Sequence, residues 1–213
     1  MTEPGRPGLA GFPANLLLHG RRVLVVGAGR IAARKTEGIL EVGGDVHVVA
    51  PRVGDEIRAL ADAGRLTVSE REFTGTDLDD AWLAFAATDD PEVNASVHDA
   101  GEARRVWVNA ADDPGNCSFT LMSKVRRGDI VVSIGTGGRS PALATWLKER
   151  VESELGPEYM TLLEILSEAR EEIRAGGGSS EDADWRSAFD SGILDLVRSD
   201  RLDEAKELLR SCL

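Results

Sequence analysis

One short segment indicates how this chain folds: Val23-Leu24-Val25-Val26-Gly27-Ala28-Gly29-Arg30-Ile31-Ala32. An apolar run typical of a strand ends in the pattern G-x-G-x-x-A, and a helical pattern follows. In such a unit, backbone N–H groups and the positive end of the helix meet where a pyrophosphate can bind. Gly27 allows the tight turn, Gly29 lets phosphate approach the backbone, and the small Ala32 lets the helix pack against the strand. The stretch therefore favours a dinucleotide site over a purely structural turn.

Predicted strands and helices alternate over the first half of the chain. The strands are Arg21–Val26, Asp45–Val49, Leu66–Glu70, Trp82–Ala87 and Val106–Asn109, and the helices are Arg30–Val42, Asp55–Ala63 and Pro91–Arg104. This alternation predicts an α/β fold with a Rossmann-like, doubly wound parallel sheet.

After Asn109 the pattern changes. Two further strands, Ser118–Leu121 and Asp129–Ile134, are predicted to form a hairpin or to pair with another subunit. Helical patterns then cover Ala142–Leu155, Pro157–Ala175 and shorter stretches near Asp184–Arg198 and Leu202–Leu209. We expect a Rossmann domain over residues 1–112, a small dimerisation segment over 113–141 and a helical C-terminal domain over 142–213.

The composition of the chain disfavours several classes of binding partner and argues against a metal site. The chain has 213 residues and a formal net charge of -12, which disfavours nucleic acid and anionic membranes because both bind basic surfaces. No apolar run reaches bilayer length, and the Gly- and Pro-rich start up to Gly11 is expected to be a loose lead-in without a signal pattern, so we expect a cytoplasmic protein. The cysteines and histidines show no ligand spacing, so no metal site is predicted.

Residues that follow the predicted strands are the candidate cofactor contacts, because open α/β sheets bind ligands beyond the carboxyl ends of their strands. The candidates are Gly27, Ala28, Gly29, Arg30, Ile31, Ala50, Pro51, Thr88, Asp89 and Asn109. The second strand lacks the acidic residue that usually binds the ribose of NAD. Arg52 beside that position is compatible with the 2′-phosphate of NADP and equally with a solvated loop.

Asp112 is the candidate catalytic residue. It follows the strand that ends at Asn109, where a carboxylate can accept or donate a proton near a hydride acceptor. However, the run Asp112-Asp113-Pro114-Gly115-Asn116 is also a strong turn signal. On the residues alone, an aspartate that bonds to its own turn is the favoured interpretation.

A second glycine loop precedes the helix that starts near Pro141, and we expect Ser140 to cap this helix. The loop either binds an anion or only reverses the chain; its candidate residues are Thr136, Gly137, Gly138, Arg139 and Ser140. A basic cluster in this acidic chain either is solvated or guides a polycarboxylate substrate. Its members are Lys124, Arg126, Arg127 and Arg139.

Together these segments resemble the precorrin-2 dehydrogenase family, which includes the amino-terminal half of multifunctional siroheme synthases. The resemblance runs from about Phe12 to the last helices. Order and spacing match in Val25-Val26-Gly27-Ala28-Gly29 with Ala32, Arg34 and Lys35, in Ala87-Thr88-Asp89-Asp90, in 108–114, in Cys117-Ser118-Phe119 and in 137–144. Two positions depart from the family pattern: Met122 stands where many relatives have proline, and Gly135 where many have serine.

The resemblance implies an enzyme that oxidises precorrin-2 to sirohydrochlorin with NAD. It implies that Asp112 is the acid/base residue and that the basic cluster binds this polycarboxylate. It also implies a homodimer in which the segment after the Rossmann domain is exchanged between subunits. Some family members insert Fe²⁺ as a further substrate to give siroheme, and the sequence leaves that activity open for this chain.

Two other functions are compatible with the Rossmann pattern. A dinucleotide-sensing regulatory module, like the ligand-binding domains of potassium transport systems, would need neither Asp112 nor the basic cluster. Another NAD(P) oxidoreductase, acting on a small metabolite, would need a compact pocket rather than a wide cationic cleft.

Overall fold

The computed structural model describes residues 11–213, which form two compact units, residues 11–121 and 122–213. The expected lead-in lies outside the described residues except for Gly11. The expected division at 112/113 and 141/142 stays a prediction. None of the helices within residues 11–213 is long and apolar enough to cross a membrane.

The first unit contains a parallel sheet with helices between its strands. The strands are β1 Arg22–Val26, β2 Asp45–Val49, β3 Thr67–Ser69, β4 Leu83–Ala86 and β5 Trp107–Ala110, in the order β3-β2-β1-β4-β5. The helices are α1 Arg30–Leu40, α2 Asp55–Asp62 and α3 Pro91–Arg104. All neighbouring strands are parallel, so the predicted Rossmann-like sheet is confirmed. The strand order reverses between β1 and β4, where this fold binds dinucleotides.

Alternate residues of β1 belong to two different cores. Val23 and Val25 pack in one cluster with residues of α1 and α2, whereas Leu24 and Val26 pack with Val97 of α3. Helices therefore cover both faces of the sheet. Strands buried on both faces are apolar throughout rather than alternating, which is why the sequence marks them clearly.

The second unit begins with an antiparallel hairpin, β6 Ser123–Arg127 and β7 Ile130–Ile134, in which Ser123 lies opposite Ile134. The predicted strand Ser118–Leu121 is wrong, because this segment returns to β5 instead. The Ser118 N–H donates to the Val108 carbonyl oxygen at 2.7 Å, and Phe119 packs against the first core cluster. The apolar residues that suggested a strand thus serve core packing.

The rest of the second unit is helical, as predicted. The helices are α4 Pro141–Glu154, α5 Glu158–Ala175, α6 Trp185–Asp190, α7 Ile193–Arg198 and α8 Leu202–Cys212. The predicted helix near Asp184–Arg198 is two helices, because Gly192 between them has φ +87°. Residues Leu162, Ile165, Ile193 and Leu209 help to form a core among α5 to α8.

Candidate active site

The glycine turn after β1 leaves space for a phosphate group. Gly27 has φ +105°, and a Cβ there would lie 2.4 Å from the Ala87 carbonyl oxygen, so only glycine fits. A Cβ on Gly29 would meet no atom within 4 Å. Gly29 directly precedes α1, whose first turn carries neither a side-chain cap nor an acidic residue. The N–H groups at this helix end are therefore open to an anion, and the turn fits a dinucleotide pyrophosphate.

Gly54 supports this turn, and the sequence did not single it out. Its N–H donates to the Ala28 carbonyl oxygen at 3.2 Å, and a Cβ at Gly54 would lie 2.7 Å from that oxygen. A larger residue would therefore push the glycine turn out of place. The only signal in the sequence is a glycine directly before the start of α2.

The structure brings the predicted cofactor contacts together at the carboxyl ends of the parallel strands. Because β1, β2 and β4 are parallel, the residues that follow them emerge side by side. Ala28 and Ala50 are buried there, Thr88 is half-buried, and the exposed members are Gly29, Arg30, Ile31, Pro51 and Asp89. Arg52 is also exposed.

Thr88 is held in a turn by a buried amide. Asn94 Oδ1 lies 2.8 Å from Thr88 Oγ1, and Asn94 Nδ2 donates to the Thr88 carbonyl oxygen at 3.0 Å. Asn94 is only 5% exposed and was missed from the sequence, where its one signal is a polar residue on the inner side of α3. The α3 cap is Asp90, which accepts a hydrogen bond from the Glu92 N–H at 2.8 Å.

Asp112 and Asp113 differ sharply in their hydrogen bonds. Asp113 forms the turn, since its Oδ1 accepts from the Gly115 N–H at 3.1 Å and its Oδ2 from Asn116 Nδ2 at 2.7 Å. Asp112 has φ +58° and is exposed. Its carboxylate accepts no hydrogen bond from residues 11–213 and is available to a ligand.

The segment that carries Asp112 is tied down at its far end. Ser118 Oγ donates to Glu102 Oε1 of α3 at 3.1 Å, and Cys117 Sγ donates to the Ala110 carbonyl oxygen at 3.3 Å. Burial raises the pKa of the Cys117 thiol, which therefore stays protonated as a donor. These contacts hold the turn against β5.

Asn109 lies inside β5 and uses its side chain within the protein. Its Oδ1 accepts from Lys35 Nζ at 2.9 Å, and its Nδ2 donates to the Phe119 carbonyl oxygen at 3.0 Å. Asn109 is only 7% exposed. Its predicted contact with the cofactor stays a prediction.

Three members of the basic cluster lie on β6 and are divided between its two faces. Lys124 and Arg126 are exposed and form no ion pair within residues 11–213. They share a face because alternate strand residues point to the same side. Arg127 lies on the other face, and its Nε donates to the Leu155 carbonyl oxygen at the end of α4 at 2.9 Å. A substrate contact of Arg127 stays a prediction.

The second glycine loop is braced by its own side chains. Thr136 Oγ1 accepts from the Ser140 N–H at 3.3 Å, and Ser140 Oγ accepts from the Leu143 N–H at 3.2 Å. The predicted cap of α4 by Ser140 is therefore confirmed. Gly137 and Gly138 have φ +60° and +74°, and Arg139 is exposed. Anion binding by this loop stays a prediction.

Known proteins resemble this chain over most of its length. The siroheme synthase of Tolumonas auensis is 38% identical over 199 residues, 92% of this chain and 42% of that protein. The siroheme synthase of Nitrosococcus oceani is 32% identical over 204 residues, 95% of this chain and 44% of that protein. The chain thus spans less than half the length of these curated relatives.

The solved structure of SirC, precorrin-2 dehydrogenase, matches with a TM-score of 0.67 and 27% identity, over 95% of this chain and 98% of that one. The resemblance inferred from the motifs is thereby confirmed. Residues 14–123, about half of the chain, match the family described as "Putative NAD(P)-binding". The glycine turn, the strand order and this match agree, and the chain belongs to this NAD(P)-binding family.

Proposed function

We propose that this chain is an NAD-dependent dehydrogenase that oxidises precorrin-2 to sirohydrochlorin. SirC, which matches over 95% of the chain, is a precorrin-2 dehydrogenase, and the two curated relatives are siroheme synthases, of which the chain covers less than half. One observation of the structure carries the proposal. The exposed carboxylate of Asp112 accepts no hydrogen bond from residues 11–213. Asp112 follows the carboxyl end of β5, just as the glycine turn follows the carboxyl end of the parallel strand β1.

In the proposed reaction, one group of residues binds NAD and Asp112 transfers the proton. Gly27–Ile31 and the start of α1 bind the pyrophosphate of NAD, and Thr88 and Asp89 lie at the neighbouring strand end. NAD supplies the hydride acceptor. Oxidation of precorrin-2 removes one hydride and one proton from the substrate, so a base must take the proton. We assign this proton to the carboxylate of Asp112.

The substrate is a polycarboxylate, whereas the chain has a net charge of -12. Binding therefore needs local positive charge to overcome the repulsion. We propose that the exposed Lys124, Arg126 and Arg139 supply it, with Arg127 and the loop residues Thr136, Gly137, Gly138 and Ser140 beside them. A small-metabolite oxidoreductase would have no use for so many free cations.

We further propose that the chain acts as a homodimer built from the segment around the hairpin. Val131, Leu143 and Trp146 of the second unit are 39%, 47% and 52% exposed. Exposed apolar groups of this size are typical of contact surfaces. Insertion of Fe²⁺ as a second substrate and a cytoplasmic location stay predictions from the sequence.

The decisive experiment is anaerobic incubation of the chain with precorrin-2 and NAD, with NADP in a parallel reaction. We expect the absorption spectrum of sirohydrochlorin to appear together with NADH. Addition of Fe²⁺ afterwards tests for siroheme. Tight NAD binding by calorimetry without any turnover of precorrin-2 would contradict the proposal and favour the dinucleotide-sensing module.

A further inference from the structure

Four residues form a closed circle of contacts at the base of the loop 111–118 that carries Asp112. Lys35 Nζ donates to Asn109 Oδ1 at 2.9 Å, and Asn109 Nδ2 donates to the Phe119 carbonyl oxygen at 3.0 Å. The ring of Phe119 meets that of Phe85 edge-on, with centroids 5.5 Å apart. Lys35 Nζ in turn lies 5.0 Å from the centroid of the Phe85 side chain, within the range of cation–π attraction. This last contact completes the circle of four residues.

The circle of contacts joins both ends of the loop to two other elements. Asn109 precedes the loop and Phe119 follows it, whereas Lys35 comes from α1 and Phe85 from β4. The loop that carries the proposed base is thus fastened to the helix that begins at the glycine turn. A change at Lys35 should therefore reach Asp112 through Asn109.

Lys35 decides which way the Asn109 amide faces. An ammonium group has only donors, so it selects the amide oxygen, and Nδ2 is left for the Phe119 carbonyl oxygen. Lys35 is half-buried and forms no ion pair within residues 11–213. Burial is the main cause that lowers the pKa of Lys35, and the neighbouring Arg34 lowers it further.

We propose that Lys35 is a positioning residue of the dehydrogenase: it fixes the Asn109 amide and thereby holds the loop of Asp112 in its working geometry. This inference rests on the proposed function. It assigns no proton transfer to Lys35 itself.

The test compares Lys35→Met, which keeps the length and removes charge and donors, with Lys35→Arg, which keeps both. Arg65→Met is the matched control, because Arg65 is exposed and precedes β3 at the opposite edge of the sheet. We expect Lys35→Met to lose about ten- to hundredfold in kcat, as small misplacements of catalytic groups do, with little change in the affinity for NAD. Lys35→Arg should keep most of the kcat of the parent chain. Arg65→Met should have the same kcat and the same affinity for NAD as the parent chain.

Hydrogen exchange of residues 110–119, measured without any substrate, gives a readout that does not depend on turnover. We expect faster exchange in Lys35→Met than in the parent or in Lys35→Arg. This measurement stands even if the parent chain fails to oxidise precorrin-2, so failure of the positioning role and failure of the proposed function are distinguishable. Unchanged exchange in Lys35→Met, or a higher KM with unchanged kcat, would overturn the inference.

A second variant covers the case in which Lys35→Met does not fold. Asn109→Asp keeps an acceptor for Lys35 but removes the donor to the Phe119 carbonyl oxygen. We expect faster exchange over residues 110–119 and a lower kcat. Exchange equal to that of the parent would show that the loop does not depend on this circle of contacts.

Discussion

Asp112 and Asp113 are identical neighbours in the sequence, but the backbone gives them different surroundings. Asp113 accepts the two hydrogen bonds that close the turn. Asp112 has φ +58°, in the left-handed region that Asp and Asn tolerate better than most residues. The conformation at Asp112 keeps its carboxylate out of the turn. Strained backbone of this kind is concentrated at functional sites.

Asp112→Asn should separate proton transfer from structure. Asn also tolerates a positive φ, so we expect an unchanged melting temperature and an unchanged affinity for NAD. The rate of precorrin-2 oxidation should fall about 10²–10⁴-fold, the usual contribution of a general base. Asp113→Ala is the comparison, since it should instead cost about 1 kcal/mol of unfolding free energy through lost turn hydrogen bonds. Near-normal turnover of Asp112→Asn would assign the proton to another group.

The two glycines of the turn should respond differently to substitution. Gly29→Val meets open space in the protein and an ordinary φ, so it should fold normally and lose NAD binding in a calorimetric titration. Gly27→Ala meets a carbonyl oxygen at 2.4 Å with φ +105°. It should therefore lower the unfolding free energy by about 1–2 kcal/mol or more. Unchanged NAD affinity in Gly29→Val would contradict the proposed pyrophosphate site.

His47 predicts a pH dependence of stability. Its Nδ1 lies 2.7 Å from Thr67 Oγ1, and burial, followed by the nearby Arg22, lowers the pKa of His47. The unfolded chain then binds a proton at higher pH than the native state does, so stability falls as the pH drops below the ordinary histidine value of about 6.5. Urea unfolding between about pH 7 and pH 5.5, where most carboxylates stay ionised, should show a steeper loss in the parent than in His47→Gln. Equal slopes would rule out this role of His47.

Among the elements, the hairpin brings together Met122 and Gly135, the two positions at which the sequence is expected to depart from the family pattern. Met122 precedes β6 and Gly135 follows β7, and Ser123 pairs with Ile134 beside them. A Cβ on Gly135 would lie 3.1 Å from Met122 Sδ. The larger side chain at 122 and the missing side chain at 135 therefore compensate for each other.

A double-mutant cycle should measure this compensation. Gly135→Ala crowds the thioether, so we expect a loss of about 1 kcal/mol in unfolding free energy, typical of overpacking. The same substitution in the Met122→Ala background should cost much less, because the crowded atoms are gone. Equal costs in the two backgrounds, measured by urea unfolding, would show that Met122 and Gly135 do not interact.

For the whole molecule, the net charge and the exposed apolar surface together determine the oligomeric state that we expect. A net charge of -12 opposes non-specific association, so a contact between copies needs a defined apolar surface. Val131, Leu143 and Trp146 offer such groups in the second unit. An isologous dimer would bury both copies of this surface.

Light scattering should report twice the mass of one chain at micromolar concentration. Trp146→Glu places a charge in the proposed contact and should shift the protein towards monomer, with unchanged circular dichroism because the side chain is exposed. Trp107→Glu is the matched control: Trp107 is 53% exposed against 52% for Trp146 but lies in the first unit, and it should leave the mass unchanged. A monomeric parent would remove the proposed dimer.

Local patterns in the amino-acid sequence suffice to predict the Rossmann sheet, the glycine turn and the helical second half. These features depend on local patterns: strands buried on both faces are apolar throughout, and turns and caps use residues next to each other. The α3 bounds Pro91–Arg104 and the Ser140 cap were predicted for this reason. In contrast, β6 was missed because basic residues surround its single buried valine.

The three-dimensional structure was needed to reveal how the site is supported. It showed that Asp113 rather than Asp112 bonds to the turn, that Gly54 and Asn94 brace the strand ends, and that Lys35 binds Asn109. Lys35 and Asn109 are 74 positions apart, and no local pattern links them. Such contacts arise because the carboxyl ends of parallel strands bring distant segments of the chain together. Polar groups that become buried there are stable only when they form hydrogen bonds.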